Sequence, residues 1–224
     1  MPVTHDLVIL LDVDNTLLDN DRIIADLGDH LQQEFGADCR ARYWAVFEKL
    51  RAELGYADYL GALQRYRLDA PNDPRLLGMS SFLLDYPFAD RVYPGALEAL
   101  EQLARFGPTA ILSDGDVVFQ PRKVQRSGLW DAVEGRVMIY LHKETMLPEV
   151  EKIYPARRYV MVDDKLRLLT LMKNIWREKL VTVFPRQGHY ADAAAIAAYP
   201  TADFTVERIG ELSNPSHPLY RALN

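Results

Sequence analysis

Two closely spaced pairs of aspartates, Asp12 with Asp14 and Asp163 with Asp164, are the residues of this sequence whose type and spacing carry chemistry. Each pair follows an apolar run, Leu7–Leu11 before the first and Tyr159–Val162 before the second. A third run, Thr109–Leu112, leads into Ser113-Asp114-Gly115-Asp116. In an open parallel sheet the carboxyl ends of all strands lie on one edge, where ligands bind, so three clusters remote in sequence are expected to meet in space. Asp12 and Asp14 are also two residues apart, so an extended backbone points both side chains the same way. Two unit charges about 4 Å apart repel by roughly 4 kcal/mol at an effective dielectric of 20. A divalent cation with oxygen ligands offsets that repulsion directly. No His or Cys cluster accompanies the acids, which disfavours zinc, and hard oxygen donors favour Mg²⁺. Leu17 and Ile23 stand where an EF-hand needs its turn glycine and bidentate glutamate, so a calcium loop is excluded. Taken singly, each cluster has an ordinary reading as a turn or helix cap. Their coincidence behind three apolar runs is what points to a site.

The elements that must position these groups read as follows. Leu7–Leu11, Thr109–Leu112, Tyr159–Val162 and Leu180–Phe184 are apolar or β-branched without clean alternation, as in strands of a parallel sheet covered on both faces. Leu97, Leu100, Leu103 and Ala104, and later Leu168, Leu169, Met172, Ile175 and Trp176, recur at helical spacing between them. Such alternation predicts an α/β, doubly wound (Rossmann-like) parallel sheet. Residues 20–90 break the pattern. Ile24, Leu27, Leu31 and Phe35 mark one helix stopped by Gly36; Tyr43, Phe47, Leu50 and Leu54 mark a second stopped by Gly55. Weaker helical segments follow around Tyr56–Leu68 and Arg75–Leu84, separated by Pro71-Asn72-Asp73-Pro74. The predicted organisation is an α/β core from 1–18 and 91–224 with a helical insertion over 19–90. Ser213–Pro218 reads as a surface tail, and Trp44 as a packing residue.

The 224 residues are 49% hydrophobic and carry a net charge of −6, which excludes wholesale disorder and argues against a nucleic-acid partner, since that needs a basic surface. Cys39 is the one cysteine, so no internal disulfide forms. The chain begins without the basic start and long apolar stretch of a signal peptide. No run approaches the ~18 apolar residues of a spanning helix, so no membrane partner is expected and a cytoplasmic location is the default.

Asp12-Val-Asp14-Asn-Thr16 behind an apolar strand resembles the first motif of the haloacid dehalogenase-like (HAD) hydrolase superfamily, Asp-x-Asp-x-Thr. Ser113 is similar to its second motif and Asp163-Asp164 to its fourth. For the third, a lysine, Lys143 lies twenty residues before Asp163, with Lys123 as the second candidate. The insertion resembles the family's helical cap. Asn15 stands where many relatives have Gly, and Asn tolerates the left-handed backbone better than most residues. Ser113 is followed by Asp-Gly-Asp, which adds negative charge near a phosphate site.

The resemblance implies a phosphatase acting on a small phosphorylated metabolite with Mg²⁺ as cofactor. Asp12 would be the nucleophile, forming an aspartyl-phosphate. Asp14 would be the general acid and base, and Ser113 and Lys143 would bind phosphate oxygens. Asp12, Asp14 through its carbonyl, Asp163 and Asp164 would hold the metal, with the direct ligand among the last two left open. Asn15, Thr16, Asp114 and Gly115 would complete the phosphate loops. An acid at Asp14 points to phosphoryl transfer, because a departing halide needs no proton. Two alternatives stay open: a phosphotransferase or mutase on the same scaffold, and a catalytically silent binding protein. A response-regulator receiver is disfavoured, since its lysine follows all the acids and its domain is much shorter.

Overall fold

The computed structural model describes residues 4–69 and 75–223; Pro71-Asn72-Asp73-Pro74, expected to separate two helices, lies outside them. Six parallel strands form one sheet in the order β3-β2-β1-β4-β5-β6. They are β1 His5–Leu11, β2 Thr109–Asp114, β3 Val137–Tyr140, β4 Ala156–Val162, β5 Leu180–Pro185 and β6 Phe204–Val206. The α/β doubly wound fold expected from the sequence is what the chain adopts. The runs at β1, β2, β4 and β5 match the predicted strands, each slightly longer than its apolar stretch. The short strands β3 and β6 were not foreseen; both sit at the sheet's ends, where four and three residues give little pattern to read.

Alternation along β1 shows why the strand is apolar throughout. Leu7, Ile9 and Leu11 enter one core and Val8 and Leu10 the other, with exposures of 4% or less. Both faces are therefore covered. The first core joins the sheet to helices α1 Asn20–Phe35, α2 Ala37–Leu54, α3 Tyr59–Asp69, α4 Arg75–Asp85, α5 Ala96–Leu103, α6 Phe119–Arg126 and α7 Leu129–Ala132. The second packs under α8 Leu147–Ile153 and α9 Leu166–Trp176. Beyond β5 the chain adds α10 Ala193–Ala197 and α11 Pro218–Leu223. Residues 214–216 are exposed, but Leu212, Leu219, Tyr220 and Leu223 are buried, so the expected surface tail is a short exposed turn between anchored segments.

Register places the strand ends level with one another. Leu11 pairs with Ile111 on one side and Val162 on the other, and Val162 pairs with Val183. Asp12, Ser113 and Asp163 therefore leave the sheet at the same edge, beside the strand at which chain order reverses. The next turn is tight: the amides of Thr16, Leu17 and Leu18 all donate to Val13 O, and Asn15 takes a φ of 58°, as the left-handed tolerance of Asn allows.

Between Asn20 and Arg91 the described elements are helices and one 3₁₀ turn, Phe88–Arg91, without a strand. Their entry and exit run side by side, tied by Asp19 N to Arg91 O at 2.8 Å and Tyr93 N to Leu17 O at 2.9 Å. A file of rings, Trp44–Phe47–Tyr59–Phe119, with centroids 5.3, 4.8 and 5.3 Å apart, carries packing from these helices onto α6. Among the described residues no helix is long and apolar enough to cross a membrane. Leu10→Ala, which empties a fully buried position of the central strand, is expected to lower unfolding free energy by about 2–5 kcal/mol in a urea titration; a loss under about 1 kcal/mol would contradict the packing described.

Candidate active site

Asp12 leaves β1 with its amide bonded to Val162 O at 2.9 Å, which aims the carboxylate over the edge between β1 and β4. Ser113 Oγ donates to Asp12 Oδ1 at 3.2 Å and receives Gln120 Nε2 at 3.1 Å. Lys143 begins the 3₁₀ turn Lys143–Thr145 after β3, its amide donating to Asp114 Oδ1 at 2.7 Å. Its ammonium lies 2.6 Å from both Asp12 Oδ1 and Asp163 Oδ2. Asp163 Oδ1 accepts from Lys165 N at 2.8 Å, and Asp164 N donates to Thr16 Oγ1 at 3.0 Å. Asp12, Asp163 and Asp164 each offer an oxygen within 4.8 Å of the others. All three, and Lys143, are buried.

This concentration of charge perturbs every group in it. Burial works to raise the Asp12 carboxyl, yet the Lys143 and Lys165 ammoniums and its hydrogen bonds hold it below the ordinary range. Burial wins at Asp163, and still more at Asp164, and pushes both up against the pull of the lysines. It also raises Asp114, although Lys143 opposes it. Lys143 goes up despite burial, because Asp12, Asp163 and Asp114 surround it. The lysines do not satisfy the whole cluster. Asp12 Oδ2 and both oxygens of Asp164 are buried without a hydrogen-bond partner. Orphaned carboxylate oxygens converging on one point, with no soft donor beside them, fit a hard divalent cation such as Mg²⁺.

The other sequence-predicted residues are placed around this cluster. The Asp14 carboxylate stands apart from the cluster. It is paired with Lys123 Nζ at 2.7 and 2.9 Å, so only its carbonyl is left as a candidate metal donor. Lys123, the second candidate for the phosphate lysine, is fully buried and spends its ammonium on Asp14 and on Asn20 Oδ1 at 3.0 Å. Asn15 turns its side chain toward Asp21, Asn20 N and His189. Thr16 Oγ1 and the Asp114 carboxylate accept backbone amides and so hold loops in place. Gly115 lies where a Cβ would come within 2.5 Å of Gln120. Above the acids opens a cavity of about 630 Å³ between the sheet edge and the helical insertion, bordered by Asp14, Asp114, Asp164 and Lys165 below. Trp44 packs edge-on against Tyr43 and Phe47, as expected, but also faces this cavity.

A family model for haloacid dehalogenase-like hydrolases matches residues 7–169. The chain belongs to the haloacid dehalogenase-like hydrolases. A Burkholderia xenovorans LB400 protein described as one of these hydrolases is 69% identical, with 94% of this chain and 98% of that one aligned and a TM-score of 0.90. An L-2-haloacid dehalogenase from Xanthobacter autotrophicus shares the fold at 18% identity, TM-score 0.62, over 97% and 99% of the two chains. The HAD hydrolase YfnB from Bacillus subtilis, solved with magnesium, does so at 15% identity, TM-score 0.61, over 99% and 100%. A comparison with curated proteins finds no match.

Sequence reasoning about this hydrolase overlooked four residues at the site. Gln120 backs Ser113. Gln187 donates to Asn15 O and Thr16 O and accepts Ile209 N, bracing the turn after β1. His189 Nδ1 lies 2.7 Å from Asp21 Oδ1, tying the loop after β5 to α1. Lys165 borders the cavity beside the acids. A lysine next to a double aspartate was a readable signal; the two glutamines and the histidine had none, because nothing local relates them to the first motif.

Mg²⁺ is expected to raise the melting temperature and a chelator to reverse the rise, by up to about 2.7 kcal/mol of stabilisation at a hundred times Kd. Asp164→Asn should abolish that shift. Lys143→Met should destabilise the metal-free protein by about 3–5 kcal/mol, by stranding buried carboxylates, while Lys123→Met keeps the Mg²⁺ shift. Calorimetry of the variants checks this, and a Mg²⁺ response lost with Lys123 rather than Asp164 would contradict the assignment.

Proposed function

We propose that this hydrolase is a Mg²⁺-dependent phosphatase that cleaves a small phosphate monoester through an aspartyl-phosphate on Asp12. The observation that carries the reading is Asp14, a carboxylate bordering the cavity two residues from the buried Asp12 and fixed by Lys123. An ester's departing alkoxide needs a proton at that place and a halide does not.

Asp12 Oδ1 is engaged by Lys143 and Ser113, while Oδ2 has no partner and remains free for bonding outside the protein. Attack on phosphorus forms the Asp12–phosphorus bond as the ester P–O bond breaks. A proton taken up with the substrate passes from Asp14 to the leaving oxygen, and Asp14 then takes one from the water that attacks the phosphoenzyme and releases inorganic phosphate. Lys143 and the Ser113 hydroxyl already converge on Asp12, so the same donors face phosphoryl oxygens where charge spreads in the transition state. Bound by Asp12, Asp164 and Asp163 with the Asp14 carbonyl, Mg²⁺ would supply charge neutralisation between carboxylates and phosphate dianion. Magnesium in YfnB, which has the same fold, supports this choice of cation. The ion pair to Lys123 holds Asp14 toward the cavity, away from the metal oxygens.

Asp12→Asn is expected to abolish phosphate release. Asp14→Asn should keep the Mg²⁺-induced thermal shift yet slow alkyl phosphate hydrolysis by about 10²–10⁴-fold, and nitrophenyl phosphate much less. Phosphate and halide release measured side by side on phosphate esters and 2-haloacids decide the matter. Full activity of Asp14→Asn on alkyl phosphates, or halide release without phosphate release, would contradict the reading.

A further inference from the structure

Above the acids, the wall of the cavity is aromatic: Trp44, Phe47 and Tyr56 from the helical insertion, Phe119, Tyr190 and Tyr199 from the core. Most polar side chains bordering it are already engaged. Asn20 holds Lys123, Gln120 holds Ser113, and His189 holds Asp21. Arg51 lies 3.5 Å from Glu48 and donates to the Tyr190 hydroxyl at 3.4 Å. A leaving group rich in hydroxyls would give up hydrogen bonds to water and find the partners taken. A flat ring would bury apolar area against this wall and stack.

Of the two other cations on the cavity's border, Arg167 lies 3.9 Å from Glu144 and Lys165 stands outside such pairings among the described residues. The Lys165 ammonium lies 5.3 Å from the centroid of the Tyr190 ring, and among the described residues it makes no hydrogen bond or salt bridge. It borders the cavity on the side of Tyr190, one of the aromatic walls.

Resting on the phosphatase reading above, we infer that the substrate is the phosphate monoester of an aromatic alcohol whose ring bears a carboxylate or similar anion, received by Lys165. The phosphoryl group meets Asp12, Ser113 and Lys143, the ring lies between Trp44 and Tyr190, and the second anion completes the empty coordination of the ammonium.

The test compares esters that all release a primary alcohol, so that differences report recognition and not leaving-group reactivity: glycerol phosphate, a hexose phosphate esterified at its primary hydroxyl, benzyl phosphate, and meta- and para-carboxybenzyl phosphates. With saturating Mg²⁺, kcat/KM is expected to rise about tenfold from the sugar and glycerol esters to benzyl phosphate. A further rise of about tenfold is expected for the better carboxybenzyl ester. Lys165→Met should erase the second rise, chiefly through KM, and Lys165→Arg should keep most of it. Turnover that favours the sugar or glycerol esters overturns the inference and leaves the phosphatase reading standing. So does an equal loss for benzyl and carboxybenzyl esters in Lys165→Met, which would make the lysine a partner of the acids alone. No phosphate release from any ester overturns both.

Discussion

Burying Asp12, Asp163 and Asp164 within reach of one another creates a repulsion that the surrounding structure is arranged to contain. Lys143 bridges two of the three at 2.6 Å, from a turn anchored by the Asp114 carboxylate. That single ammonium cannot serve the remaining oxygens, and Asp12 Oδ2 and both Asp164 oxygens are left without partners. A protein interior tolerates such groups only where something else completes them. Lys143 sets the arrangement of the metal-free site, and the orphaned oxygens state what it lacks.

The fold supplies the alignment this requires. Level pairing of Leu11 with Ile111 and Val162 brings three strand ends to one edge, and the turn after β1 is braced by Asn15 and Gln187. The helices between Asn20 and Arg91 then close a wall above the acids. Asp14 belongs to that wall as much as to the edge, because Lys123 ties it to Asn20, the first residue of α1. An acid joined to the start of the insertion would be placed by the same element that shapes the cavity, a coupling that suits the proposed division of labour between Asp12 and Asp14.

Much of this was legible in the residue order. Apolar runs ending in acids announced both the central strands and the edge at which Asp12 and Asp163-Asp164 meet, since burial on both faces and the need to leave the sheet together impose that pattern. Spacing before Asp163 favoured Lys143 over Lys123 as the third-motif lysine, but it did not show what Lys123 does; tertiary packing sets Lys143 on Asp12 and Lys123 on Asp14. Strands β3 and β6 were too short to display a period. Gln187 and His189 act on the first motif from more than 170 residues away in the chain, through contacts that tertiary packing alone creates. Trp44 looked like a packing residue and is one, but its face toward the cavity depends on how α2 is docked.

The central claim, that Asp12 accepts a phosphoryl group, is tested most directly by capturing the covalent species. Rapid acid quenching during turnover of a phosphate ester with Mg²⁺, followed by mass spectrometry, should find one phosphoryl group on the peptide that carries Asp12. Turnover with that peptide unmodified at every quench time, while phosphate accumulates, would contradict the account.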